Sequence, residues 1–207
     1  PSGEMCDRAE KEADAMTTPA NTAPLETPAG RSCETPQRDD CRIYVACLAA
    51  YNNDILHGRW IDAASGEAHI WGETRAMLAA SPIPNAEEWA IHDYEGFEGA
   101  SLEEYSSFET VAALSEFIGE HGRLGAELYS HFGDDLEAAR AAFEDYAGEH
   151  KSLAHFAEDL NLECGPAIPK RYEYYIDWEA MGRDMELSGD VFTIETGFEE
   201  VHVFWSR

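Results

Sequence analysis

Residues 107–122 read SFETVAALSEFIGEHG, and their spacing decides the fold. Val111, Leu114 and Ile118 recur at intervals of three and four, the period of one helix face. Gly122 stands where such a helix stops. Glu109, Glu116 and Glu120 are spaced by seven and four. At ~100° per residue they fall in one narrow stripe on the outer face. The spacing therefore predicts a helix over 107–120, apolar on one side and purely acidic on the other.

The helical period continues downstream. Leu124, Leu128 and Phe132 make a second short stripe ended by Gly133. Asp134-Asp135-Leu136-Glu137 opens a third helix, with Leu136, Phe143 and Ala147 inward and Gly148 at its end. Ser152 caps a fourth with Leu153, Phe156, Ala157 and Leu160. Residues 172–181 read as another helix with Tyr172, Tyr175 and Ile176 inward. The end reads as a hairpin: 191–195, Thr196-Gly197, then 201–205.

Upstream, Ser101-Leu102-Glu103-Glu104 has the capping-box pattern. Before it the period is that of strands. Residues 42–50 form one, Tyr51-Asn52-Asn53-Asp54 is turn chemistry, and 56–62 form a second. Residues 74–80 read as a helix that stops before Ser81-Pro82. Residues 88–94 form a third strand with Trp89, Ile91 and Asp93 on one face, completing a meander-like sheet.

The expected class is α+β: an elongated array of three small domains, with small antiparallel sheets at both ends and a helical middle. The expected boundaries are an N-terminal α+β domain at 41–104, a helical domain at 105–139 and a C-terminal α+β domain at 140–207. Residues 1–40 hold five of the nine prolines and no Phe, Trp or Tyr. Such a segment buries too little surface to offset its ordering entropy, so a disordered acidic extension is expected there.

Charge is the outlier. The chain has 207 residues with 42 acids against 14 bases, a net of −28. Residues 1–40 carry nine acids and four bases, so 33 acids and ten bases, a net of −23, belong to the rest. Such a surface repels nucleic acids and anionic membranes and attracts basic partners. Between Arg75 and Lys151 only Arg123 and Arg140 interrupt the acids. An ordinary solvated helix interleaves Glu with Lys, which adds stability. Here neighbours repel, and that cost points to a use for the field, although a general acidic adaptation to salt gives the same net charge.

The candidate surface is Glu87, Glu88, Glu95, Glu98, Glu103, Glu104, Glu109, Glu116, Glu120, Glu127, Asp134, Asp135, Glu137, Glu144, Asp145 and Glu149. Duplex DNA carries one charge per ~1.7 Å, so −23 corresponds to ~39 Å of duplex. A compact globule of this size has a radius of gyration of ~15 Å and spreads the charge over a ball; a rod-like arrangement of small domains matches the linear charge density of DNA much better, so an elongated shape is expected.

Catalytic and cofactor motifs are missing. There is no GxSxG, GxGxxG, Walker lysine loop or HExxH. Eight histidines occur; His150 and His155 are five apart, poor spacing for ligands on one helix, and His121 and His131 flank a short helix. No catalytic residue, metal site or cofactor is expected. Five cysteines without a CxxC pair read as free thiols of a reducing cytosol. No run approaches the ~18 apolar residues of a membrane span, and no apolar signal core is visible, so a cytoplasmic location is expected.

Three blocks carry a family resemblance. The first is Arg42-Ile43-Tyr44-Val45-Ala46, Tyr51-Asn52 and Leu56-His57-Gly58-Arg59-Trp60-Ile61-Asp62. The second is Glu88-Trp89-Ala90-Ile91-His92-Asp93-Tyr94-Glu95. The third runs from Tyr174-Tyr175-Ile176-Asp177-Trp178-Glu179 to Ser188-Gly189. In this order they resemble ArdA-type antirestriction proteins, from which the 40-residue extension departs.

The resemblance implies three domains in a curved row, a homodimer through the C-terminal domain, and carboxylates that imitate the phosphates of bent DNA. It implies as partner the DNA-binding groove of type I restriction–modification enzymes, chiefly the methyltransferase core. Tyr172, Tyr174, Tyr175 and Trp178 cover more than one helix face, and Tyr174 and Trp178 are the candidate dimer contact. Two other readings stay open: an acidic module for another basic DNA-binding or nucleoid protein, and a metal-dependent enzyme using His121 or His131.

Overall fold

The computed structural model describes residues 41–206. It is mixed α+β, with two separate three-stranded antiparallel sheets. The expected extension at 1–40 lies outside the described residues.

The first sheet has the order β2-β1-β3, with β1 at Arg42–Cys47, β2 at Gly58–Asp62 and β3 at Trp89–Glu95. Ile43, Val45 and Cys47 alternate along β1 and are completely buried, as a half-buried strand requires. β1 lies at the centre, so β3 pairs with β1 and not with β2; the sheet is not a meander. The first strand is also shorter than expected. The chain turns at Leu48 into a one-turn helix, α1 (Leu48–Tyr51). In β3 the register shifts opposite Tyr44/Val45. That bulge, between Ile91 and Asp93, breaks the alternation, so Ile91 is buried while Asp93 is exposed.

Helix α2 spans Glu67–Ala79, beginning seven residues before the expected start, and places Ile70, Thr74 and Met77 inward. Ser101–Glu104 caps nothing. The helix begins later, where the Ser107 side chain accepts the Thr110 backbone N–H. From there α3 (Phe108–His131) buries Val111, Leu114 and Ile118, the stripe expected from spacing. Gly122, at φ 60° and ψ −143°, divides it into two segments. An L side chain is strained at that φ, which is why glycine stands at the break.

Asp135 caps α4 (Leu136–Ala142) through the backbone N–H groups of Glu137 and Ala138. This helix ends sooner than expected. A single 3₁₀ turn (Phe143–Asp145) leads into a strand, β4 (Tyr146–His150), and Gly148 lies within that strand instead of ending a helix. The second sheet has the order β4-β6-β5, with β5 at Val191–Gly197 and β6 at Glu200–Trp205 forming the expected hairpin. α5 (Leu153–Cys164) is capped by Ser152 as expected.

The single helix expected over 172–181 is instead two: α6 (Lys170–Glu173) and α7 (Trp178–Ser188), whose cap is Asp177. Tyr172 and Tyr175 are exposed, not inward. α7 crosses α5 closely at Gly182, where a Cβ would meet the Leu153 carbonyl oxygen at 2.8 Å.

Aromatic packing is continuous from α3 to the second sheet. Phe143 meets Phe117 on α3 (5.7 Å between centroids) and Phe204 on β6 (5.8 Å), and Phe204 stacks on Phe192 of β5. Near the first sheet, Trp89 stacks on Phe108 at 4.1 Å, with Trp71 edge-on to both. Cys47 is a buried thiol and Cys164 an exposed one, neither in a disulfide. Among the described residues, no helix is long and apolar enough to cross a membrane.

Candidate functional site

The candidate acids sit on many elements. Glu87 and Glu88 precede β3 and Glu95 ends it. Glu98, Glu103 and Glu104 lie on the loop from β3 to α3. Glu109, Glu116 and Glu120 line the first segment of α3, and Glu127 lies on the second. Asp134 and Asp135 connect α3 to α4, Glu137 lies on α4, Glu144 and Asp145 on the 3₁₀ turn, and Glu149 on β4. All are exposed except Glu127 and Asp145, which are half-buried.

Two tyrosines register where carboxylates from different elements converge. The Tyr105 hydroxyl is pushed above its ordinary value, first by the charge of Glu104 and its hydrogen bond, with a further push from Glu88. Tyr129 is pushed up first by burial, then by Asp134 and Glu103. Glu103 from the loop before α3 and Asp134 from the turn after it thus both act on Tyr129. A phenolate beside a carboxylate is disfavoured by like charge, which leads for Tyr105 and adds to burial for Tyr129.

Cations neutralise only part of the surface. Arg42 pairs with Glu95, and Arg123 with Glu127 at 3.4 Å. Arg140 reaches from α4 to α3, 3.4 Å from Glu116, donating to the Ala113 carbonyl and covering the Phe117 ring. The middle of the Glu109–Glu116–Glu120 stripe is thus compensated. His121 lies 3.8 Å from Glu120, but burial, with the charge of Arg140, holds its imidazole below the ordinary value and works against a charged pair there. The other candidates, Asp145 aside, have no cation within ion-pair reach among the described residues. Asp135 also has local work as the α4 cap.

Reading the sequence as far as Glu149 missed acids beyond it. Glu179, Asp184 and Glu186 on α7 are exposed, as are Glu195 and Glu199 on the hairpin. Their signal is weaker in sequence because Lys170, Arg171 and Arg183 lie among them. Of the candidate dimer contact, Tyr174 is 97% exposed and Trp178 is half-buried at the start of α7. The three quoted sequence blocks map to β1 and β2, to β3, and to the stretch that ends in α7.

An array of exposed carboxylates from loops and helix faces, short of cations, has the chemistry of a surface that meets a basic partner. Comparison with curated proteins gives no match. The sequence model of the family described as Antirestriction protein (ArdA) matches residues 43–200, most of the chain. The chain belongs to the ArdA antirestriction protein family.

Proposed function

We propose that this antirestriction protein is a DNA mimic that occupies the DNA-binding groove of type I restriction–modification enzymes, at the methyltransferase core. The observation that carries the reading is the array of exposed, mostly cation-free carboxylates from Glu87 to Glu149. A groove that holds duplex DNA is lined by Lys and Arg, which displace the counterions of phosphates. Carboxylates at comparable spacing satisfy the same cations, and the field steers association. Base edges are not imitated by charge, so one surface serves enzymes of different sequence specificity. No bond is made or broken; inhibition is by occupancy.

The reading includes an extended arrangement of three domains and a homodimer joined through the C-terminal part, with Tyr174 and Trp178 at the contact. A dimer doubles the charge to that of roughly 78 Å of duplex. Adding the protein to a type I methyltransferase should release a labelled cognate duplex. Retention of the duplex while the protein binds would contradict occupancy of the groove. In sedimentation, the Tyr174→Ala/Trp178→Ala double variant should run as a monomer.

A further inference from the structure

We infer that His150, His155 and Asp159 form a binding site for a divalent transition-metal ion of the zinc class. The three come from two elements. His150 ends β4; His155 and Asp159 lie one turn apart on the same face of α5. The turn between them is fixed by Ser152, whose hydroxyl accepts the His155 backbone N–H. Because His150 belongs to a strand, the five-residue interval that is poor on one helix imposes no obstacle here.

One donor atom from each residue lies within 4.8 Å of the others. Asp159 Oδ2 is 3.4 Å from His150 Nδ1 and 3.0 Å from His155 Nδ1. A tetrahedral ion holding nitrogen and oxygen at ~2.0–2.1 Å sets its ligands roughly 3.3 Å apart. The two pairs that Asp159 makes already stand near coordination spacing, and the two histidines offer donors within 4.8 Å of each other. Phe156, itself buried, meets the His150 ring edge-on at 5.1 Å and fixes its orientation. The His150 side chain is 16% exposed, while His155 and Asp159 are near half-exposed, so the inner wall is held and the outer side is open.

Two imidazole nitrogens and one carboxylate oxygen suit zinc and its neighbours, with the fourth position left to water. Calcium and magnesium call for oxygen ligands in larger number. The ion would clip the end of β4 to the start of α5, so binding free energy would appear as stability. This site is independent of the DNA-mimic reading.

The full chain, stripped by chelator, should bind one zinc ion in calorimetry and unfold at a higher temperature when zinc is added. Magnesium and calcium at the same concentration should produce no such shift. Exposed His155→Ala and Asp159→Asn should each weaken zinc binding by about tenfold or more with unchanged circular dichroism. Absence of zinc binding would overturn the assignment. So would zinc uptake of equal affinity in both variants, because it would place the ion on dispersed surface carboxylates.

Discussion

Residues 41–86 carry four acids against three arginines, whereas residues 87–149 carry seventeen acids against two. In the first stretch every arginine has a structural partner. Arg42 pairs with Glu95, Arg59 with Glu73, and Arg75 lies over Trp71 at 5.5 Å. The two arginines of the second stretch are used as well, against Glu127 and Glu116, and most acids are left over. The comparison separates scaffold from field. The first two strands and α2 build a sheet with a nearly balanced surface. The negative charge begins at Glu87 and follows the chain through β3, α3 and α4.

The strongest way to break this comparison is to neutralise the field as a group. Changing Glu103, Glu104, Glu109, Asp134, Glu137 and Glu144 together to Gln or Asn should weaken inhibition of a type I enzyme on the order of 100-fold, at about 0.5 kcal/mol per exposed charge. The same treatment of Asp54, Glu67 and Glu73 should change inhibition less than threefold. Equal losses from the two sets would erase the distinction.

Gly122 tests the scaffold beneath the field. Ala at this backbone position is strained, and open space around it offers no packing gain. Gly122→Ala should lower unfolding free energy by about 1–3 kcal/mol in a denaturant titration. Arg140→Met keeps an aliphatic cover for Phe117 but releases Glu116. It should cost about 1 kcal/mol of stability or less while leaving inhibition at least as strong, because one more carboxylate is uncovered. Weaker inhibition at unchanged stability would mean that Arg140 itself contacts the target.

The second sheet adds a pH test that leaves the field in place. His202 on β6 is buried, with the Tyr146 hydroxyl 2.8 Å from Nδ1 and the Thr196 hydroxyl 3.0 Å from Nε2. Burial pushes its imidazole below the ordinary value, outweighing Glu149 and Glu200, which push it up. The unfolded chain therefore takes a proton that the folded chain refuses. Stability present above the ordinary imidazole value is lost as pH falls from there through the depressed folded value. Thermal melts should show this acid-side loss, and His202→Gln should reduce it.

The smallest expected effect is that of a single charge. Glu109→Gln alone should change inhibition less than threefold if, as proposed, many weak contacts share the binding. Complete loss from one such change would replace a distributed surface with a single essential contact.

Spacing made much of this legible. The Val111–Leu114–Ile118 stripe, the break at Gly122, the Ser152 cap and the terminal hairpin each follow from local chemistry, and each is in the structure. What spacing could not supply was decided by distant partners. Tyr146–His150 has no strand alternation of its own and becomes a strand because β6 lends it a register. β1 takes the centre of its sheet by pairing with both β2 and β3, which no local pattern encodes. Ser101–Glu104 satisfied a helix-start pattern without a helix to start, since Ser107 held the better position beside Phe108.

The acids were readable as residues but not as a surface. Glu95 and Glu116 look the same in sequence as Glu103 and Glu104, and only the fold shows that arginines cover the first two, whereas the Arg123–Glu127 pair is the four-residue spacing of one helix face. That Glu103 and Asp134, from opposite ends of a helix of two segments, both raise Tyr129 had no local signal.

The central claim is most directly tested by competition between this protein and duplex DNA for a type I methyltransferase across a salt series. The account predicts mutually exclusive binding, with affinity for the protein falling steeply and log-linearly as salt rises. Simultaneous binding of protein and duplex, or an affinity indifferent to salt, would contradict it.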